Sequence, residues 1–198
     1  MRGVTLLVVL MAVLVLAAPP SYAIPVQLFT TLSGANEVPP VASPGTGQAS
    51  VILDAAAHTL LVSATFSGLL GNTTMAHIHC CQPLGTNAGV ATTVPSFPGF
   101  PLGVTAGSYP SHFFDLTASG TYNPAFVTAN GGTILSAEAA LVAGLLDGRS
   151  YFNIHTSFSP SGEIRGQLRV PEPASLLLLG SGLLGLGTTA VWRNRSRR

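Results

Sequence analysis

The sequence predicts an all-β domain, a mainly antiparallel, Greek-key-like β-sandwich with one or two short helical insertions, followed by a C-terminal transmembrane helix. Three observations lead to this prediction. Short runs of alternating or β-branched residues are separated by Gly, Pro, Ser and Asn, which is typical of antiparallel sheet proteins. Uncharged apolar segments stand near both ends of the chain. Residues 24–169 between them are enough for one domain with its own core.

The first 23 residues have the layout of a secretory signal peptide. Arg2 precedes an uncharged apolar run over residues 6–18, and the small-residue triplet 21–23 follows it. The run is too short for a membrane span, which needs roughly 20 residues. We therefore expect signal peptidase to cut after Ala23 and the protein to be exported. A buried core helix is the alternative.

Seven strands and two helices are predicted within residues 24–169. The strands are expected at residues 26–33, 48–53, 59–67, 75–79, 112–117, 150–156 and 163–169. Residues 80–110 are dense in Gly and Pro, and we expect them to form a loop over the surface. One helix is predicted at 123–129, with Asn123 as its N-cap, and another at 136–146. Seven short strands with few helices favour a sandwich.

Residues 170–198 are predicted to be a membrane-sorting tail. The uncharged stretch 174–192 nearly crosses a hydrocarbon core of roughly 30 Å at about 1.5 Å of helical rise per residue. A proline pair, Pro171 and Pro173, flanks Glu172 directly before this span. The membrane stop behind it is a cluster of arginines, namely Arg193, Arg195, Arg197 and Arg198. A permanent single-pass anchor is the alternative to a tail that is processed.

The charge of the predicted domain argues against nucleic acid as a partner. Residues 24–169 contain six acidic residues and three arginines, and the whole chain has no lysine. A net charge of −3 leaves no basic patch that would neutralise phosphates.

Three histidines on two predicted strands are candidate metal ligands. Because side chains alternate along a strand, His77 and His79 share one face, and His155 lies on the outward face of its own strand. Converging imidazoles bind copper or zinc, and His112, Cys80 and Cys81 are candidates for further ligands. The alternative is that these histidines make structural hydrogen bonds, for instance to Glu163 or to loop backbone.

The adjacent pair Cys80-Cys81 contains the only cysteines of the chain. Export to an oxidising compartment favours a disulfide, yet neighbouring cysteines close only a strained ring. Four states therefore stay open, namely a vicinal disulfide, two thiols, intermolecular bridges, or soft ligands that extend the His-x-His pair.

Two sets of motifs carry family resemblances. Along the predicted domain the chain resembles the CHRD domain, which is named for chordin, through the segments 32–40, 66–69, 76–79, 153–156 and 162–168. That resemblance implies an extracellular β-rich domain of largely undefined function without established catalytic residues. The order Pro171-Glu172-Pro173, apolar span and arginine-rich end resembles the PEP-CTERM sorting signals of Gram-negative bacteria that make exopolysaccharide. This second resemblance implies processing by exosortase after a transient stay in the inner membrane.

Two function classes follow from these features. No Gly-x-Ser-x-Gly elbow, phosphate-binding glycine loop or His-Glu-x-x-His helix occurs in residues 24–169, so we expect no catalysis. The first hypothesis is an exported, non-catalytic domain sorted to the cell envelope, surface or extracellular matrix, where exopolysaccharide or envelope proteins are its partners. The alternative hypothesis is an extracytoplasmic copper- or zinc-binding protein that uses the His-x-His strand.

Overall fold

The computed structural model describes residues 24–171, in which seven strands and two α-helices form. The strands are β1 (Val26–Ser33), β2 (Thr46–Asp54), β3 (Thr59–Ser67), β4 (Thr73–Cys80), β5 (Gly107–Asp115), β6 (Ser150–Thr156) and β7 (Ile164–Gln167). The helices are α1 (Pro124–Ala129) and α2 (Ile134–Leu146), and short 3₁₀ turns lie at Gly34–Asn36 and Ser119–Thr121. The predicted signal peptide and membrane span lie outside the described residues. Between residues 24 and 171, no helix is long and apolar enough to cross a membrane.

All seven strands belong to one sheet with the order β4-β6-β7-β1-β2-β3-β5, and every paired neighbour is antiparallel. The predicted class, mostly antiparallel β with a few short helices, is confirmed. The strands β1, β2 and β3 form a meander paired along nearly their whole length. The short strand β7 joins this meander to the pair β4–β6. Two halves of the sheet therefore meet at β7 and β1, and the sheet curls as a half-barrel around one core.

The connection between β4 and β5 helps to close this half-barrel, which corrects the expectation of a loop lying on the surface. The amides of Ala91 and Phe97 donate to the carbonyls of Ile78 and Ala76 on β4, so the connection covers the free edge of that strand. Two of its aromatic rings, Phe97 and Phe100, are almost fully buried. Both rings pack against aromatic side chains from β5 and β6 at centroid distances of 5.4–6.4 Å. Burial of these rings holds the long connection in place.

The helices begin where side-chain caps satisfy their first amides. The Asn123 side chain accepts a hydrogen bond from the Ala125 amide at the start of α1, as the sequence predicts. Helix α2 starts two positions before the predicted residue 136, because Thr133 is the N-cap and forms a capping box with Ser136. Its buried face includes Leu141 and Leu145, which pack into the core beside the sheet.

Strand β5 differs from its prediction at residues 112–117. It starts at Gly107 and includes Pro110, which cannot donate a ladder hydrogen bond. The proline is tolerated because β5 is the edge strand of the sheet, and a register shift occurs opposite Val62 and Ala64 of β3. Because Pro110 favours a loop, the sequence predicts only the second half of this strand.

Candidate metal centre

The three candidate histidines lie side by side on β4 and β6. In the pairing of these strands His77 faces Asn153, His79 faces Tyr151, and Met75 faces His155. Alternation along both strands directs Ala76, Ile78, Phe152 and Ile154 into the apolar core and leaves the three imidazoles on the opposite face. The sheet register thus brings together two residues that are two positions apart on β4 and a third residue from the paired strand β6.

This opposite face is buried as well, which the alternation of polar and apolar residues does not predict. The exposed fractions are 2% for His77, 7% for His79 and 6% for His155. Backbone of the connection that follows β4 and of the turn that follows β6 contacts the rings. The imidazoles therefore form a polar cluster inside the protein.

Each imidazole uses one ring nitrogen to donate a hydrogen bond to a backbone carbonyl. His77 Nε2 lies 2.7 Å from the Pro95 oxygen, His79 Nδ1 lies 2.9 Å from the Ala88 oxygen, and His155 Nδ1 lies 3.0 Å from the Pro160 oxygen. A carbonyl only accepts, so these contacts assign the proton of each neutral ring to the nitrogen that faces the carbonyl. The other nitrogen of each ring then carries a lone pair.

The three histidines bring one ring nitrogen each close together. All three candidate ligand atoms lie within 4.8 Å of one another. The Nε2 atoms of His79 and His155 are 3.4 Å apart, and His77 Nδ1 is buried without a hydrogen-bond partner. Two nitrogens bound to one tetrahedral zinc ion at about 2.0–2.1 Å would be roughly 3.3–3.4 Å apart. The spacing of His79 and His155 therefore matches two ligands of a single ion.

The electrostatics of the cluster keep the rings neutral. Burial, together with the neighbouring His155, lowers the pKa of His77 to about 4, against the opposing effect of its hydrogen bond to Pro95. Burial likewise lowers the pKa of His79 to about 4, against the opposing effect of its hydrogen bond to Ala88. The pKa of His155 is also lowered by burial. Neutral imidazole is the form that binds metal, so no proton has to leave before an ion enters at neutral pH.

A second layer of side chains positions the His79 ring. The Tyr151 ring stacks on it at a centroid distance of 4.8 Å, and the Tyr151 hydroxyl accepts from the Ala88 amide at 3.1 Å. The Arg165 guanidinium lies 4.5 Å from the centroid of Tyr151 on β6. Arg165 also donates from Nε to the Asn36 carbonyl and from Nη1 to Asn87 Oδ1. Tyr151 and Arg165 are not among the candidate site residues that the sequence predicts.

The structural alternative named Glu163 or loop backbone as hydrogen-bond partners of the histidines, and the loop backbone is what the three rings bond. The Glu163 carboxylate bonds other groups. It is fully buried and accepts hydrogen bonds from Ser43 Oγ at 2.6 Å, Thr156 Oγ1 at 2.6 Å, and the amides of Leu70 and Gly71 at 2.7 and 3.2 Å. Burial alone would raise the pKa of Glu163, but these four hydrogen bonds together hold it below its usual value. Glu163 therefore ties loop segments to the sheet.

The remaining candidate ligands lie elsewhere. His112 on β5 packs between Tyr109 and Phe114, with ring centroids 5.6 and 5.0 Å away. Cys80 and Cys81 form a vicinal disulfide, one of the open states. A Cβ on Gly144 of α2 would meet both sulfur atoms, which places the disulfide against that helix. Among the described residues, the only cluster of His, Cys, Asp and Glu side chains with metal-binding spacing is His77, His79 and His155.

Comparison with known proteins adds two family matches. Residues 28–168 match the model of the CHRD domain, and residues 169–198 match the model of the PEP-CTERM protein-sorting motif. No curated protein and no solved structure matches the chain. Both matches agree with the resemblances found in the sequence, and the sorting motif supports an exported protein that exosortase processes at the membrane. The CHRD match extends over most of the sequence, and the chain therefore belongs to the CHRD-domain family.

Proposed function

We propose that this CHRD domain binds one copper or zinc ion through His77 Nδ1, His79 Nε2 and His155 Nε2. The observation that carries the proposal is the cluster of three imidazoles, each with one ring nitrogen within 4.8 Å of the others and each donating one hydrogen bond to a backbone carbonyl. His77 Nδ1 has no hydrogen-bond partner, and the Nε2 atoms of His79 and His155 are 3.4 Å apart. Hydrogen bonds to backbone carbonyls fix the tautomer and the orientation of metal-binding histidines. The donor set is thus arranged before an ion arrives.

A purely structural role explains only one nitrogen of each ring, the one that donates to a backbone carbonyl. Buried polar atoms are normally hydrogen-bonded, and a buried nitrogen without a partner costs about 1–3 kcal/mol. His77 Nδ1 has no partner, and the Nε2 atoms of His79 and His155 face each other with no proton to share. A bound cation would satisfy all three lone pairs at once. The geometry therefore favours metal binding over hydrogen bonding alone.

Metal analysis of the mature protein tests this proposal. We expect about one copper or zinc ion per chain after loading and desalting, and none in a His77→Ala/His79→Ala double variant. His112→Ala is the matched control, because His112 lies outside the cluster and its loss leaves the stoichiometry unchanged. Substoichiometric metal in the wild-type protein, or equal loading of the double variant, would contradict metal binding at these histidines.

We further propose that the domain acts without catalysis at the cell envelope, at the cell surface or in the extracellular matrix, where envelope proteins or exopolysaccharide are its partners. The PEP-CTERM motif supports delivery to this destination. A variant that ends at residue 169 tests the sorting step. We expect it to appear in the culture medium, whereas the full chain stays with the cells or their matrix. An unchanged distribution would overturn the envelope assignment.

A further inference from the structure

The donor set of the proposed site carries no negative charge. Its three ligand atoms belong to neutral imidazoles, and within the described part of the chain no carboxylate or thiolate joins the cluster. The two sulfur atoms lie instead against α2, since β4 directs Cys80 to the face opposite His79. The positive charge of a bound ion is therefore not compensated by its ligands.

The burial of the site makes the uncompensated charge of a bound ion costly. All three rings are at most 7% exposed, so an ion at their centre loses most of its hydration. The cost of moving an ion from water into a protein interior is large, and in the Born description it grows with the square of the charge. A divalent ion thus meets a much greater desolvation cost here than a monovalent ion.

Arg165 adds a second bias in the same direction. Arg165 is 4% exposed, its guanidinium lies 4.5 Å from the Tyr151 ring centroid, and that centroid lies 4.8 Å from the centroid of His79. The charge is therefore within about 9 Å of the His79 ring. Glu37 Oε2, 3.9 Å from Arg165 Nε, offsets the guanidinium only in part, because burial raises the pKa of Glu37 to about 7.

Resting on the metal-binding function proposed above, we infer that the three-histidine site selects monovalent copper over divalent zinc and copper, and that the buried Arg165 strengthens this selection. Imidazole is an accepted ligand of copper as well as zinc, so the ligand type permits both. Charge then decides between them. Arg165 acts here as a positioning and charge-setting residue that does not touch the ion.

Anaerobic titrations of the mature wild-type protein test the selection directly. Cu(I) affinity is measured by competition with a chromophoric Cu(I) chelator, and Zn(II) affinity by competition with a zinc dye. We expect Cu(I) to bind at least about a hundredfold more tightly than Zn(II). If both ions bind through the histidines and Zn(II) is equally tight or tighter, the selection is overturned while metal binding stands. If neither ion binds stoichiometrically, both proposals fail.

Three variants test the contribution of Arg165. One unit of charge at about 9 Å in a protein interior changes the relative affinity for ions of charge one and two roughly tenfold. Arg165→Met should therefore lower the ratio of Cu(I) to Zn(II) affinity about tenfold, while Arg165→Lys keeps the charge and the ratio. Glu37→Gln removes the partial offset and should raise the ratio, a direction that a merely structural role would not produce. An unchanged ratio in Arg165→Met and in Glu37→Gln would refute the role of Arg165.

Discussion

Two buried polar clusters on neighbouring strands differ in how their hydrogen bonds are completed. The carboxylate of Glu163, the residue directly before β7, has two donors for each of its oxygens. The histidine cluster on β4 and β6 instead leaves His77 Nδ1 without a hydrogen-bond partner and places the Nε2 atoms of His79 and His155 3.4 Å apart. A buried group with all its hydrogen bonds made stabilises the fold, whereas a buried ring nitrogen without a partner costs stability. The contrast supports the proposal that Glu163 has a structural role and the histidine cluster a ligand-binding one.

The largest expected difference between the clusters is their response to acid. His77 and His79 have pKa values near 4 in the folded protein and near 6.5 when unfolded, so the unfolded chain binds more protons between these values. The metal-free protein should therefore lose stability as pH falls from about 6.5 to 4, by roughly 2–3 kcal/mol for each ring. Glu163, whose folded pKa is lowered, keeps its contribution to more acidic pH.

Denaturant unfolding between pH 7 and pH 4.5 measures this loss. Glu37 has a raised pKa and gives the opposite slope, so the comparison is made with a His77→Gln/His79→Gln variant that retains Glu37. The difference between the two proteins isolates the rings. Equal pH dependence in both proteins would mean that the imidazoles are not held neutral by burial.

Replacing Glu163 should have the next largest effect, and on stability alone. Glu163→Ala leaves two buried amides and two hydroxyls without their acceptor, so we expect a loss of about 3 kcal/mol or more in the free energy of unfolding. The folded variant should bind metal like the wild-type protein. Asp147→Ala, which breaks an exposed ion pair with Arg149, is the control and should change stability by less than about 1 kcal/mol. A lower metal affinity in folded Glu163→Ala would link the two clusters.

Replacing His155 should lower metal affinity strongly and change the stability of the metal-free protein little. His155→Ala removes the one ligand supplied by β6, and we expect metal affinity to fall at least about a hundredfold. The free energy of unfolding of the metal-free protein should change by only about 1 kcal/mol, the scale of the lost hydrogen bond to Pro160. Calorimetric titration and urea unfolding measure the two quantities. Full affinity in the variant would remove His155 from the site.

The smallest effect is expected for the hydroxyl that holds the Ala88 backbone. Tyr151→Phe keeps the ring that stacks on His79 but loses the contact with the Ala88 amide, so the carbonyl that orients His79 is less fixed. We expect metal affinity to fall about tenfold, at the lower end for second-layer groups. Tyr109→Phe, whose lost hydroxyl donates to Pro98 away from the site, is the matched control. Equal affinities in the two variants would exclude this role.

Strand alternation allowed much of this arrangement to be predicted. It predicts that His77 and His79 share one face of their strand and that His155 lies on the outward face of its own strand, because a period of two needs only local sequence. The cover over that face could not be predicted, since Ala88, Pro95 and Pro160 contribute backbone carbonyls from segments rich in Gly and Pro. Such contacts depend on the path of the loop and on no side-chain pattern.

Two segments of the fold differ from their predictions because their structure depends on tertiary contacts. The connection after β4 is predicted as a surface loop from its many glycines and prolines, but its residues Phe97 and Phe100 are buried in the core. Strand β5 was shortened because Pro110 argues against a central strand, and its place at the sheet edge follows only from the strand order. The position of each segment in the folded protein, and not its local sequence, determines its structure.

X-ray absorption spectroscopy of the copper- or zinc-loaded mature protein tests the central claim most directly. We predict three imidazole nitrogens at about 2.0–2.1 Å from one ion and no sulfur in its first shell. The spectrum should lose this imidazole signature in the His77→Ala/His79→Ala variant. A sulfur ligand at about 2.3 Å, or an ion surrounded only by oxygen, would contradict the assignment of the histidine cluster as the metal centre.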